Sequence, residues 1–283
     1  MTSPFRLTLV QMLVEPGRVE ANLARADERV REGAARGARL VVLPEALDCG
    51  WTHPSARECA GPIPAGEACE RLRAMALREG VHLCAGLVEA EGSRRFNAAV
   101  LFSPEGELLL HHRKIHELDF AQDLYARGDR LAVVHTPLGT LGVMICADAF
   151  APGEVISRTL ALMGAQLIIS PCAWAVTPDH DQATEPYGAL WRDCYGRVAR
   201  EHNVWIAGAS NVGPVTAGAW AGRKCIGSSL VVGPDGEVVA QGPYGADADT
   251  LLTVEIVLSG TVAAEPFLES MPGAQTVEVR GAR

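Results

Sequence analysis

The chain has 283 residues, 48% of them hydrophobic and 21% charged, which excludes a disordered chain and allows one large buried core. Its formal net charge is −9, and its densest basic cluster, His111–Lys114, is too short to read a phosphate backbone. No uncharged apolar stretch approaches the roughly 20 residues needed to span a bilayer.

The first ten residues, MTSPFRLTLV, lack a signal-peptide core and cleavage site, so the sequence predicts a cytoplasmic protein without nucleic-acid or membrane partners. Eight cysteines occur, at 49, 59, 69, 84, 146, 172, 194 and 225, with no CxxC pair and no zinc-type spacing. All but Cys146 are expected to be reduced core residues, and no metal is expected.

In chain order, Leu7–Met12 reads as a strand, and Arg18–Gly37 as a helix stopped by its glycine. Arg39–Leu43 reads as a buried strand with Pro44-Glu45 at its carboxyl end. A helix over Gly66–Gly80 and a strand over Val81–Glu89 follow. Phe96–Phe102 and Glu107–Lys114 flank Ser103-Pro104-Glu105-Gly106, which is hairpin chemistry. The pattern then predicts a strand at Leu141–Cys146, a helix at Gly153–Met163 and a strand at Gln166–Ser170. Leu190–Asn203 reads as a helix, Val204–Ser210 as a strand, and Leu230–Ala240 as a hairpin turning at Gly233-Pro234-Asp235-Gly236. The two halves repeat one plan of strand, helix, strand and Pro-acidic-Gly hairpin, as two face-to-face sheets with outer helices would. No linker divides them, so one domain is expected over residues 1–283, with a core at about 5–257 and a tail at 258–283.

Glu45, Lys114 and Cys146 each stand where an apolar strand finishes, the place where α/β folds hold ligand-facing groups. Together they make chemical sense. The thiolate is the nucleophilic form of cysteine, a carboxylate can take the thiol proton and return it to a leaving amine, and an ammonium stabilises an oxyanion. The backbone N–H of Ala147 is a second candidate oxyanion donor.

These residues lie in segments that resemble the nitrilase superfamily of carbon–nitrogen hydrolases. The resemblance rests on Gln11-Met12, Gly37–Glu45, Arg113-Lys114, Gly142–Asp148, Gly164–Pro171, Ala199–Asn203 and Gly227–Gly236, in order over roughly residues 5–257. It implies a four-layer αββα sandwich, often dimeric, a Glu45–Lys114–Cys146 triad, and no metal or organic cofactor. Cys146-Ala147-Asp148 looks like the amidase and carbamoylase branches, whereas nitrile-cleaving members usually carry Trp-Glu after the cysteine. The resemblance therefore implies a small amide or N-carbamoyl substrate and ammonia release through a thioester. A nitrile hydrolase, an acyl transferase or a weakened binding member of the family are the alternatives.

Amidase-like members usually carry a second glutamate shortly after the lysine. Gln122 falls nearest that position and can orient an amide without carrying a proton; Glu117 or Asp119 would replace it through a shifted loop. Trp174 is a candidate pocket wall; Trp51 and Tyr125 are further candidates for the wall that read more readily as packing aromatics, and Cys172 reads as a packing thiol. Glu201 is expected to be a buried structural carboxylate. His111 and His112 point to opposite faces of a strand and cannot readily share an ion, and His116 does not complete a metal site with them.

Overall fold

The apolar run near the N-terminus forms strand β1 (Phe5–Gln11), and the Ala/Arg/Glu-rich stretch after it forms helix α1 (Val19–Ala35). Next come β2 (Ala38–Val42), the short helix α2 (Ala56–Cys59), α3 (Glu67–Glu79) and β3 (His82–Glu91). The hairpin predicted around Ser103–Gly106 is β4 (Arg94–Phe102) paired with β5 (Leu108–Arg113). The second half holds β6 (Val133–Thr136), β7 (Gly139–Val143), α4 (Val155–Leu162), β8 (Leu167–Cys172) and β9 (Ala175–Val176). It continues with α5 (Ala189–His202), β10 (Trp205–Ser210), β11 (Val212–Pro214) and β12 (Lys224–Ile226). The hairpin of β13 (Leu230–Val232) and β14 (Val238–Gln241) precedes the last strand, β15 (Thr250–Ile256). The computed structural model describes residues 3–258, so the tail predicted from the sequence lies, from Ser259 on, outside the described residues.

Two six-stranded sheets result, ordered β15-β1-β2-β3-β4-β5 and β6-β7-β8-β10-β13-β14. Read that way they match strand for strand. Each starts with an antiparallel edge pair, continues as a parallel triplet, and ends in an antiparallel hairpin. The repeated plan read from the two Pro-acidic-Gly turns is thus a repeated sheet. A small third sheet, β11-β12-β9, lies beyond the strand ends.

Alternation along the strands builds the layers. In β2, Leu40 and Val42 enter the core between the sheets beside Leu141, Val143 and Ile169, while Val41 packs on the opposite face with Leu23, Val30 and Leu72 of α1 and α3. Besides Asn22, the buried residues of α1 are Leu23, Ala26, Val30 and Gly33, which recur at helical spacing and face β1 and β2. Helix α3 stops where Gly80 takes a left-handed conformation, φ 65°, as the sequence predicted. The arrangement is the αββα sandwich.

Three readings are corrected. The strand predicted to run to Cys146 ends at Val143, because the backbone breaks into a tight helical turn over Cys146–Phe150. Strands β6 and β15 were not read, since both are edge strands and β15 pairs with β1 across nearly the whole chain. Glu201 is on the surface rather than buried, and it is ion-paired there with Arg158.

Candidate active site

Glu45, Lys114 and Cys146 arrive from three strand ends. Glu45 leaves β2 through Pro44, and its N–H donates to the Cys172 carbonyl of the opposite sheet at 3.2 Å. The chain turns sharply at Ala46, φ 45°, and packs so closely on β3 that a Cβ at Gly86 would stand 2.6 Å from the Glu45 Cα. Lys114 follows β5. Its N–H donates to the Asn97 carbonyl and its carbonyl accepts from the Gly128 N–H, at 2.8 and 2.7 Å. Cys146 sits just beyond β7 with φ 45°, a conformation that costs a non-glycine residue energy and is held here by its N–H donating to Ser170 Oγ at 3.0 Å.

The side chains meet in the interior. Lys114 Nζ donates to Glu45 Oε1 at 2.7 Å, and Asn97 Nδ2 donates to the same oxygen at 2.6 Å. Glu45 Oε2 is buried with no hydrogen-bond partner among the described residues. Glu117 completes the group, its Oε2 3.8 Å from Lys114 Nζ, and both of its oxygens lack a hydrogen bond. All three charged side chains are shut off from solvent.

Two ionised carboxylates and one ammonium would leave the dry site with a net charge of −1, so it favours the uptake of one proton. Burial works hardest against the Lys114 charge, but Glu45, Glu117 and Cys146 outweigh it and hold the ammonium well above its ordinary pKa. Burial also dominates Glu117, and with Glu45 and Asp148 nearby it pushes that carboxyl up to about 8 in spite of Lys114. At neutral pH Lys114 is therefore charged and Glu117 protonated.

The Cys146 thiol is pushed well above its ordinary value, by burial first, then by a hydrogen bond with the Cys172 thiol and by the Glu45 charge, with Lys114 opposing. At rest Cys146 is therefore a neutral thiol, and to act as a nucleophile it would need a base to take its proton. Asp148, two residues on, ties the nucleophile turn to the lysine strand. Its carboxylate accepts from the N–H groups of Ile145, Ile115 and His116, at 2.9, 3.1 and 2.8 Å, and from His112 Nε2 at 2.8 Å. Burial opposes its charge, but the His112 hydrogen bond and these N–H groups keep its carboxyl below the ordinary range.

Cys146 lines a cavity of about 380 Å³ walled by Trp51, Trp174, Trp191, Trp220 and Tyr187. Trp174, the first candidate for a pocket wall, lines the cavity and stacks on Trp191 at 4.6 Å, and Trp51, the further candidate that reads more readily as packing, lines it as well. Tyr125 is buried behind the site, where its hydroxyl accepts from the Thr52 N–H. Ala147 is buried directly after the nucleophile.

Gln122 is not at the cavity. A single helical turn at Asp119–Ala121 carries it outward, and its exposed side chain donates to Asp119 Oδ1 at 3.1 Å. Glu117, before that turn, takes the inner position, which corrects the expectation of a substrate-facing Gln122. His111 and His112 do face opposite ways, to Glu89 and to Asp148. Among the described residues no three His, Cys, Asp or Glu side chains gather in a way that could hold a metal ion.

Sequence reasoning missed Asn97, Ser170 and the work of Asp148. Asn97 had a signal, as the lone amide within the run Phe96–Phe102. Ser170 and Cys172 had little, because a small polar residue at a strand end is common.

Residues 6–265 match the family described as carbon-nitrogen hydrolase. The chain is 34% identical over 267 residues to omega-amidase NIT2 of Xenopus tropicalis, covering 90% of this chain and 89% of that protein. It is also 34% identical over 242 residues to a nitrilase of Pyrococcus abyssi, covering 83% and 84% of the two chains. Among solved structures, an amidase from Nesterenkonia sp. superposes with a TM-score of 0.75 at 25% identity, over 89% of this chain and 90% of that one. Another structure of that enzyme carries acrylamide added to its active-site cysteine. Fold, site and sequence agree: the chain belongs to the carbon–nitrogen hydrolase family.

Proposed function

We propose that residues 1–283 are a single carbon–nitrogen hydrolase domain that cleaves a small amide or N-carbamoyl compound through a Cys146 thioester, releasing ammonia. The observation that carries this reading is the buried Lys114–Glu45 ion pair, at 2.7 Å, in one dry site with the thiol that lines the cavity. The amidases among its relatives, and Ala147-Asp148 after the cysteine, favour amides over nitriles.

On this reading Glu45 takes the thiol proton as Cys146 Sγ attacks the substrate carbonyl carbon. The negative oxygen that develops is stabilised by the Lys114 ammonium and the Ala147 N–H. When the C–N bond breaks, Glu45 returns the proton to the nitrogen and ammonia leaves. Water, deprotonated by the same carboxylate, then attacks the thioester carbon, frees the acid and restores the thiol. Protonated Glu117 donates a hydrogen bond that orients the amide and keeps the site neutral. Substrate, rather than any metal or organic cofactor, completes the site.

No helix among the described residues is long and apolar enough to cross a membrane; a cytoplasmic location is part of the proposed reading, carried by the sequence expectation alone. We also assign it a homodimer, which would cover the apolar side chains that α4 exposes, Val155 and Leu162, and Met163 just after it.

The test is ammonia release over a panel of amides, ω-amides, N-carbamoyl compounds and nitriles, by wild type and Cys146→Ala. Release by wild type alone is the expected result. Equal release by both proteins would remove the cysteine mechanism.

A further inference from the structure

Four of the five tryptophans in the chain, Trp51, Trp174, Trp191 and Trp220, line the one cavity that contains Cys146. They are arranged as rings that grip other rings. Trp174 and Trp191 are stacked 4.6 Å apart, Phe150 leans on Trp191 at 5.3 Å, and Trp51 meets Trp220 nearly edge-on at 4.9 Å. Trp191 is fixed by donating its Nε1 proton to Tyr187 Oη at 2.8 Å. Walls of this kind favour an aromatic guest by area and by ring–ring geometry. The space suffices: an apolar cavity of about 150 Å³ holds benzene, and this one offers about 380 Å³.

Charge narrows the guest further. None of the described residues lining the cavity is Lys or Arg; its titratable side chains besides Cys146 and Tyr187 are Glu185, exposed at the wall, and His180, which is flanked by the carboxylates of Asp179 and Asp181. Lys114 is engaged by Glu45 and Glu117 and is not part of the wall. A carboxylate on the far end of a substrate would lose its water without gaining a guanidinium or ammonium partner.

We propose that the Trp51–Trp174–Trp191–Trp220 cavity is the acyl-group site for aryl-alkyl primary amides, the ring lodging among the indoles and the carboxamide reaching Cys146. It discriminates against amides that carry a distal carboxylate. The assignment rests on the amide-hydrolase reading, and binding separates the two.

The experiment measures binding of 3-phenylpropionamide, butyramide and succinamic acid to Cys146→Ala, by calorimetry and by quenching of tryptophan fluorescence. Ammonia release from the same three compounds by wild type is measured in parallel. The expected result is at least about tenfold tighter binding of the aryl amide than of butyramide, the scale hydrophobic pockets achieve, with succinamic acid weakest. Trp220→Leu should shrink the aryl-to-butyramide ratio. Equal affinities, or tightest binding of succinamic acid, would overturn the assignment. An unchanged ratio in Trp220→Leu would overturn the part given to that wall. Tight aryl-amide binding without ammonia release from any amide would instead remove the hydrolase reading and leave the site standing.

Discussion

Glu117 and Gln122 are five residues apart and sit in opposite environments, one sealed beside Lys114 and the other in solvent. Their substitution should separate them cleanly. Gln122→Ala is expected to leave amide turnover nearly unchanged, whereas Glu117→Ala should lower kcat/KM by roughly 10²-fold, the usual loss for a positioned acid–base group. The pKa of about 8 gives this a pH signature. Because the carboxyl is raised, its protonated, hydrogen-bond-donating form persists through neutrality and is lost as pH rises through about 8. Activity should therefore fall on that alkaline limb in wild type, and Glu117→Gln, which cannot lose the proton, should not show that step. Cys172 offers a second test. Its hydrogen bond helps to raise the Cys146 thiol, so alkylation of Cys146 in Cys172→Ala should titrate at lower pH than in wild type. Glu45, Lys114 and Cys146 were legible because each ends a recognisable apolar run. Which carboxylate follows the lysine was not legible, since one turn at Asp119–Ala121 decides it and nothing in the residue types fixes that turn's direction.

At the scale of elements, the site is held by strand ends braced across the two sheets. Asp148 gathers four hydrogen bonds from the nucleophile turn and the end of β5, so it fixes Cys146 relative to Lys114. Asp148→Asn removes a buried charge from beneath His112 and is expected to cost about 3 kcal/mol, read from the denaturant midpoint at unchanged m-value. Its lowered carboxyl pKa means that its contribution to stability is present above the ordinary carboxylate range. That contribution is lost as pH falls through the folded-state value. Gly86 illustrates the same dependence in backbone terms, since any side chain there would collide with the Glu45 backbone. The strands of the parallel triplets were read from their unbroken apolar runs. Edge strands such as β15 escaped because their burial alternates weakly and their partner is remote in the sequence.

For the molecule as a whole, the repeated sheet explains why the reactive residues are dispersed along the sequence yet meet in space. β2 and β5 of one sheet deliver Glu45 and Lys114, and β7 of the other delivers Cys146, so the candidate triad sits where the two repeats face each other. The Pro-acidic-Gly turns made the repeat legible, and Trp174 was legible as a candidate wall, while the shares of Trp191 and Trp220 in the cavity were not, because the four tryptophans come from four separate segments. The proposed homodimer belongs to this scale. Leu162, 77% exposed on α4, is expected to be covered in it, and Leu162→Asp should shift sedimentation from dimer to monomer.

Transfer of the acyl group to Cys146 is read directly from intact-protein mass after acid quench during turnover of an amide. Wild type is expected to gain the mass of the acyl group, mapped to the peptide containing Cys146, and Cys146→Ala to gain nothing. Ammonia release with no adduct, or with the adduct on another residue such as Cys172, would contradict it.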